Sequence, residues 1–449
     1  MNGKLQRGSA TEQSRFSAAS KAYLQGIKRL GLTLHGFMLI QDGKVMAEWY
    51  DPSLGAETPH ELFSACKSMV SLAVGIAIDE GKLALTDTVA DFFREKLPLQ
   101  ISESLQHLTV RDLLTMSSGQ SGETWGKLKA APDGDWVRAF LELQPAYMPG
   151  EQFVYSNSNS YLLSAIIHKI YGKPLVDFLY ERIFDELGLQ RWEWSHCPAG
   201  ISQGTHGWRI TMEDAALIAQ FLLQKGNWNG KQLVSAEWIG EATKKQIETK
   251  SVFATADRVM GYGYHFWPGR NGSFRCEGAY GQEILILPEE NAAFVSFAGM
   301  RFGQEMQENL NLVWQLFYPG LKDREAGPAL ANGDVYEVPE NIYGISGIEF
   351  VSTDTAIFTL TGQPPAEVRI GRPADTVLVF RGQAEPTQLE LREIAPHFYE
   401  AHFCMIHSAY RLTLLILTEG KQVRLVPLVK PEWEADEVKP CLLATARNS

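Results

Sequence analysis

Residues 61–85, ELFSACKSMVSLAVGIAIDEGKLAL, predict a buried helix that carries one lysine near its start. From Ala65 to Ile78 nearly every side chain is small or apolar, and Lys67 is the only charged residue before Asp79. A helix that is hydrophobic all round is a buried helix. Burial disfavours the charged ammonium, and the positive end of the helix dipole opposes a cation in the first turn, so we expect a lowered pKa for Lys67.

Ser64 lies three residues before Lys67, on the same face of the predicted helix. At the N-terminal end of a helix, a serine hydroxyl lies near free backbone N–H groups. A neutral lysine amine within hydrogen-bond reach can accept the serine proton, which makes the hydroxyl a nucleophile. This is the only Ser-x-x-Lys spacing in the sequence. It predicts a nucleophilic serine; a lysine tied to a structural carboxylate is the alternative.

A second candidate motif lies in residues 148–172, MPGEQFVYSNSNSYLLSAIIHKIYG. Tyr155 and Asn157 fall on the loop before a predicted helix, where extended geometry points alternate side chains to one side. We therefore expect a tyrosine and an amide to face the same crevice. A Tyr-x-Asn loop that only caps the following helix is the alternative.

Strand-forming segments flank a helical middle region. An N-terminal helix precedes LHGFMLIQ and KVMAEWY, which flank Asp42-Gly43, a strong hairpin signal. GYGYHFW, SFRCEGAY, QEILILP and AAFVSFAG predict later strands, and helical periodicity dominates between the two groups. We predict one sheet made from both ends of this region, at about 14–60 and 256–325, with an inserted helical lobe at about 61–255 and a crevice between them.

The C-terminal part has a different pattern. After a stretch with Pro, Gly and charge, short alternating strands follow one another from about residue 340 to residue 430. We predict a catalytic domain at 1–325, and a linker with a small antiparallel β-sandwich or barrel at 326–449. A length of 449 residues is compatible with this, since it allows roughly three units of about 150 residues each.

Composition and charge disfavour several functions. The chain is 45% hydrophobic and 21% charged, with a formal net charge of -12. An acidic chain without a dense Lys/Arg stripe is a poor partner for nucleic acid, and no run approaches the roughly 18 apolar residues of a membrane span. The N-terminus has no apolar signal segment, so we expect a cytoplasmic protein without a membrane anchor.

Cysteine and histidine spacing predicts no metal centre. The five cysteines are odd in number and widely spaced, and no CxxC pattern is present, so we expect reduced thiols. His397, His402 and His407 with Cys404 come nearest to a cluster, but strand alternation separates several of them. We expect ordinary side chains of a β-domain there.

Four segments resemble one known family in their order and spacing: FSACKSMVS, LTVRDLLTMSSG, PGEQFVYSN and GAYGQEILILPEENAAFVSF. They are similar to the serine β-lactamase and penicillin-binding-protein superfamily, in the branch of class C β-lactamases, D-aminopeptidases and related esterases. The resemblance covers roughly residues 20–320. It implies an α+β fold of the β-lactamase/transpeptidase-like two-lobe type, with an antiparallel sheet flanked by helices, and no metal or organic cofactor.

By position, the resemblance implies a role for each matched residue. Ser64 would be the acylated nucleophile, Lys67 its base or proton relay, and Tyr155 the group that passes a proton to the leaving group and later helps activate water. Asn157 would hydrogen-bond the substrate or the lysine. The backbone N–H groups of Ser64 and Ala279 would form an oxyanion hole, whose electrostatic stabilisation is often a large catalytic contribution.

The triplet Cys276-Glu277-Gly278 departs from the family, which usually has Lys-Thr-Gly or His-x-Gly at this place. By position Glu277 would face the substrate beside Gly278, while strand alternation turns Cys276 away. An unpaired carboxylate would repel anionic substrates and attract amines; pairing with Arg275 or another local cation is the alternative. Cys66 and Cys276 are expected to be packed thiols.

These observations predict a serine hydrolase that cleaves a small ester, amide or peptide bond through an acyl-enzyme on Ser64, without selectivity for carboxylates. A true β-lactamase or D,D-peptidase is one alternative. A binding or sensing protein that keeps the fold but turns over poorly is another. The expected partner is a small-molecule or short-peptide substrate, and the oligomeric state is left open.

Overall fold

The architecture is that of a computed structural model of the 449-residue chain. The structure describes residues 3–249, 255–322, 335–352, 355–380, 383–395, 398–406, 411–419, 422–430 and 442–446. The contacts divide the chain into two compact units: a first unit of Met1–Arg7 and Leu34–Met306, and a second unit of Gly8–Thr33 and Gln307–Ser449. Within the described residues, no helix is long and apolar enough to cross a membrane.

A seven-stranded sheet runs through the first unit. Its strands are β1 (Gln6–Arg7), β2 (Leu34–Gln41), β3 (Lys44–Tyr50), β4 (Trp267–Pro268), β5 (Phe274–Gly278), β6 (Gln282–Leu287) and β7 (Ala292–Ala298), in the spatial order β1-β3-β2-β7-β6-β5-β4. The pairing of β1 with β3 is parallel, so the sheet is mixed rather than purely antiparallel as the sequence predicted. The other pairings are antiparallel.

The sheet joins the two ends of this region, as the sequence predicted. Strand β2 pairs directly with β7, with Met38 opposite Val295. The turn between β2 and β3 is the predicted hairpin, in which Asp42 and Gly43 have φ values of 52° and 75°. Two consecutive positive φ values suit the right-handed twist of the flanking strands, which explains the Asp-Gly pair.

Helices fill most of the chain between β3 and β4. They are Lys67–Asp79, Val89–Phe92, Glu103–His107, Val110–Leu114, Trp125–Lys129, Trp136–Leu141, Asn157–Tyr171, Leu175–Leu179, Asp185–Leu187, Met212–Leu223 and Ala236–Thr243. Shorter turns of helix cover Phe63–Cys66, Arg94–Lys96, Tyr180–Phe184, Arg270–Gly272 and Ala279–Gly281. Two pairs of two-residue strands are also present: His60–Glu61 pairs with Arg209–Ile210, and Asn227–Trp228 pairs with Lys231–Gln232.

The helix Lys67–Asp79 is buried, as the sequence predicted. All residues from Lys67 to Ala77 are buried, and the helix packs against Asn157–Tyr171. Gly75 allows a tryptophan to approach the helix, because a Cβ at this position would lie 2.2 Å from Trp238 Cδ1. The main apolar core of the first unit therefore surrounds the helix that carries the candidate nucleophile.

Among the residues that the structure describes, the second unit contains a ten-stranded antiparallel sheet and four helices. The helices are Ala10–Ser14, Ser17–Leu30, Gln304–Leu316 (most of it) and Tyr318–Lys322, and the strands are β8 (Val335–Glu337), β9 (Ile345–Ser352), β10 (Thr355–Leu360), β11 (Ala366–Arg369), β12 (Ala374–Phe380), β13 (Gln383–Ala395), β14 (Phe398–Met405), β15 (Arg411–Glu419), β16 (Gln422–Lys430) and β17 (Leu442–Ala446). The spatial order is β11-β10-β9-β8-β17-β16-β15-β14-β13-β12.

The ends of this sheet approach each other. Ile370, just after β11, forms a parallel bridge with Leu391 of β13, and the Gly371 N–H donates to the Leu391 carbonyl at 3.1 Å. Of the two predicted forms, sandwich or barrel, the bridge favours the barrel. The predicted domain boundary near residues 325 and 326 stays a prediction.

Candidate active site

Ser64 and Lys67 face each other at the start of the buried helix. Lys67 Nζ donates to Ser64 Oγ at 2.9 Å, to Asn157 Oδ1 at 2.7 Å and to the Thr205 carbonyl at 3.0 Å. These three acceptors are neutral oxygens, and no carboxylate in the described residues pairs with this lysine. The structure therefore does not support the alternative, in which a structural carboxylate holds the lysine.

The lysine has an unusually low pKa because it is buried. Its side chain is enclosed, with Lys67 only 1% exposed. Burial lowers the pKa of Lys67 from 10.5 to about 8, and the negative charge of Glu123 opposes this shift. The direction agrees with the sequence prediction. Near neutral pH a useful fraction of the amine is therefore uncharged and able to accept a proton.

The chain before Ser64 is strained. Phe63 has a φ of 47°, in the left-handed region that residues with a large side chain rarely adopt. Strain of this kind persists only where the surrounding structure enforces it, and it clusters at functional sites. Here the strained residue directly precedes Ser64, which lies in the first turn of the helix.

Tyr155 and Asn157 both reach the serine–lysine pair, as the sequence predicted. Asn157 is the first residue of the helix Asn157–Tyr171, and its amide oxygen accepts from Lys67. The Tyr155 ring centroid lies 5.2 Å from Lys67 Nζ. Burial raises the pKa of Tyr155, against the opposing effect of its hydrogen bond with Ser64, so the phenol is protonated at neutral pH.

Glu123 is a residue of this site that the sequence did not reveal. One of its oxygens accepts from the backbone N–H of Asn157 at 3.0 Å and from Asn157 Nδ2 at 2.8 Å. The other accepts from the backbone N–H of Trp125 at 2.8 Å and from Ser156 Oγ at 3.1 Å. Because the amide nitrogen is held by Glu123, the amide oxygen of Asn157 points to Lys67.

Glu277 carries a paired carboxylate, so the expectation of an unpaired one is wrong. Arg258 donates to Oε1 through Nε at 2.7 Å and through Nη2, and Arg275 donates to Oε2 at 2.9 and 2.7 Å. Burial raises the pKa of Glu277, but the two guanidinium groups outweigh it and hold the pKa low. Arg275 lies two residues away on the same face of β5, which is the alternative that the sequence allowed.

A cavity of about 220 Å³ brings most of the predicted residues together. It is lined by Ser64, Glu123, Phe153, Tyr155, Arg258, Trp267, Glu277, Gly278, Ala279 and Phe302. A Cβ at Gly278 would lie 2.0 Å from the Leu62 carbonyl, so only glycine lets the end of β5 approach the chain before Ser64 this closely. The predicted oxyanion hole of Ser64 and Ala279 stays a prediction.

The other candidate residues lie apart from this chemistry. Cys66 and Cys276 are fully buried free thiols, and burial raises the pKa of each to about 12. In the second unit His402 contacts the Glu400 carboxylate and the Thr413 hydroxyl. His397, His407 and Cys441 lie outside the described residues.

The fold and the site define a class of protein, a hydrolase of the serine β-lactamase fold. The family model described as Beta-lactamase matches residues 19–315, so the chain belongs to this family. The resemblance seen in the sequence is thereby confirmed.

Individual relatives are distant. The chain is 22% identical over 281 residues to the 6-aminohexanoate-dimer hydrolase of Paenarthrobacter ureafaciens, covering 58% of this chain and 71% of that protein. The octameric penicillin-binding protein homologue from Pyrococcus abyssi is similar over 95% of this chain and 99% of its own, with 17% identity and a TM-score of 0.52. EstCE1, a hydrolase with promiscuous acyltransferase activity, is similar over 68% of this chain and 100% of its own, with 16% identity and a TM-score of 0.53.

Proposed function

We propose that the protein is a serine hydrolase that cleaves a small ester, amide or peptide bond through an acyl-enzyme on Ser64. The observation that carries this proposal is the 2.9 Å hydrogen bond between Lys67 Nζ and Ser64 Oγ, made by a lysine whose pKa burial lowers to about 8. A neutral amine at this distance is placed to accept the hydroxyl proton as Oγ attacks a carbonyl carbon.

The remaining residues have roles in the same sequence of steps. The Tyr155 hydroxyl gives a proton to the leaving group as the bond to it breaks, and its phenolate then takes a proton from the water that attacks the acyl carbon. The Lys67 ammonium returns its proton to Ser64 Oγ as the acyl bond breaks, which regenerates the free serine. Asn157 orients Lys67, and the backbone N–H groups of Ser64 and Ala279 stabilise the oxyanion. Gly278 and Glu277 form the wall of the cavity beside these donors. No metal or organic cofactor takes part in this scheme.

The names of two similar proteins support a hydrolase of small molecules. One is called a 6-aminohexanoate-dimer hydrolase and the other a hydrolase with promiscuous acyltransferase activity. The family name also keeps a true β-lactamase or D,D-peptidase as the second candidate, and Arg258 at the cavity favours it by supplying a cation. One panel of esters, amino-acid amides and β-lactams separates these substrates by kcat/KM.

A fluorophosphonate probe followed by intact-mass measurement tests the mechanism. We expect the wild type to gain one label and Ser64→Ala to gain none and lose hydrolysis. Lys67→Met should lower kcat/KM by about 10²-fold or more, the scale of a lost proton-transfer group. Ser71→Ala, two turns along the same helix face, is the matched control and should behave as the wild type. Full hydrolysis by Ser64→Ala, or an unlabelled wild type without turnover as in a binding protein, would overturn the proposal.

A further inference from the structure

The cavity beside Ser64 has aromatic walls. Four of its lining residues are Phe153, Tyr155, Trp267 and Phe302. The rings of Tyr155 and Trp267 are stacked, with centroids 6.2 Å apart and 18° between planes, and Phe153 lies edge-on to Trp267 at 6.1 Å. Behind them the ring of Tyr262 lies edge-on to that of Trp267, with the ring centroids 4.7 Å apart. Because these rings hold one another in place, the wall is already formed before any ligand enters.

A guanidinium group completes this wall. The Arg258 guanidinium carbon lies 4.1 Å from the ring centroid of Phe302 and 5.7 Å from that of Trp267. Guanidinium groups are planar and stack on aromatic faces. The Glu277 carboxylate binds Arg258 through one oxygen and Arg275 through the other, and these contacts hold the Arg258 side chain in place. The group therefore offers a surface that favours an aromatic ring more than an alkyl chain.

The size of the cavity fits one ring. Its volume is about 220 Å³. An apolar cavity of about 150 Å³ in another protein binds benzene, so the space here holds a benzene-sized ring and the short linker that joins it to the reacting carbonyl. An extended alkyl chain of the same carbon number would leave the flat walls partly uncontacted.

We propose that this cavity binds an aromatic ring of the acyl group, so that the preferred substrates are arylacyl esters, thioesters or amides. This inference rests on the proposed function, because it assigns the group that becomes attached to Ser64 Oγ. Ring contacts to Trp267 and Phe302 then hold the carbonyl beside the nucleophile.

Three S-ethyl thioesters of eight-carbon acids test the proposal: phenylacetyl, cyclohexylacetyl and octanoyl. In each the Ser64 Oγ–acyl bond forms as the C–S bond breaks, ethanethiol leaves with a proton, and water releases the acid; a thiol reagent measures the ethanethiol. The leaving group is aliphatic, so the acyl group carries the only ring. We expect kcat/KM for phenylacetyl to exceed that for cyclohexylacetyl by about 3- to 10-fold, the scale of an aromatic contact.

Variants of the wall show whether the preference arises there. Phe302→Leu removes the ring from a partly exposed position and should bring the phenylacetyl to cyclohexylacetyl ratio close to one, and Trp267→Leu should do the same. Phe302→Tyr keeps the ring and should keep the ratio. Labelling of Ser64 by the fluorophosphonate probe checks that each variant retains a formed site.

The outcomes separate this inference from the proposed function. Equal turnover of all three thioesters, preference for octanoyl, or an unchanged ratio in Phe302→Leu would overturn the aromatic assignment while leaving the serine mechanism standing. No turnover of any thioester together with an unlabelled Ser64 would overturn the proposed function and, with it, this inference.

Discussion

The buried amine of Lys67 should set how hydrolysis depends on pH. With its pKa lowered to about 8, the amine is protonated below that pH and neutral above it. Only the neutral form can accept the Ser64 proton. We therefore expect kcat/KM to rise with pH and to level off above about 8. A pH–rate profile measures this, and a rate that stays flat through this region would contradict the role of Lys67 as the base.

Glu123 should tune that profile through charge. Its carboxylate favours the ammonium form of Lys67, so its removal lowers the pKa of the lysine further. Glu123→Gln keeps an oxygen that can accept from Asn157 but carries no charge. We expect the rising limb of the pH–rate profile to move to lower pH, with a fall of less than about 10-fold at the plateau.

Glu123→Ala is the matched variant for this effect. It removes the charge and also the acceptor of the Asn157 amide, so the amide is free to rotate away from Lys67. We expect the rising limb of the pH–rate profile to move to lower pH, as in Glu123→Gln, but with a larger loss of kcat. A shift to higher pH in either variant would mean that Glu123 does not act on the lysine through its charge.

At the scale of an element, strand β5 depends on the carboxylate of Glu277. Glu277→Gln leaves Arg258 and Arg275 buried without this charged partner, and loss of one member of a buried ion pair costs about 3–5 kcal/mol. Arg275 Nε also lies 3.7 Å from Glu283, whose carboxyl can take over part of the charge. We expect a loss near the lower end, about 3 kcal/mol, in the free energy of unfolding measured with denaturant.

A surface pair provides the control for this prediction. Lys4 and Glu57 form an ion pair at 3.0 Å with side chains 58% and 76% exposed. Glu57→Gln should change the free energy of unfolding by less than about 1 kcal/mol, since exposed ion pairs contribute little. Similar losses in Glu277→Gln and Glu57→Gln would show that burial does not make the β5 pair important.

The elements that the sequence predicted are those encoded by local patterns. The uninterrupted apolar run after Lys67 requires a buried helix, and the Asp42-Gly43 pair requires the hairpin, because each depends on residues close together in the chain. The contacts that the sequence did not specify join distant loops. Glu123 reaches Asn157 across 34 residues, and Arg258 reaches Glu277 across 19. Neither pairing has a periodicity or a spacing that marks it before folding.

At the scale of the whole molecule, the second unit is assembled from both ends of the chain. Gln25 and Arg29 of the helix Ser17–Leu30 donate to the buried carboxylate of Glu400 on β14, at 2.6 and 2.7 Å. Arg424 of β16 donates to the Leu316 carbonyl at 2.6 Å. The domain boundary near residues 325 and 326 was predicted from a change in composition and strand pattern. No local pattern indicated that an N-terminal helix belongs to the same compact unit as the C-terminal strands.

A chain ending at Lys322 tests this assembly. Truncation removes Glu400, Arg424 and the sheet against which the helix Ser17–Leu30 packs, and it exposes the apolar face of that helix. Exposed apolar patches of this kind promote association. We expect aggregation in size-exclusion chromatography. Full-length Glu400→Gln breaks only the charge contacts, and because Arg29 is partly exposed it should stay monodisperse and lose about 1.5–3 kcal/mol of unfolding free energy, the scale of a hydrogen bond to a charged group. A truncated chain that is monodisperse, with the thermal midpoint of the wild type, would show that these contacts are dispensable for folding.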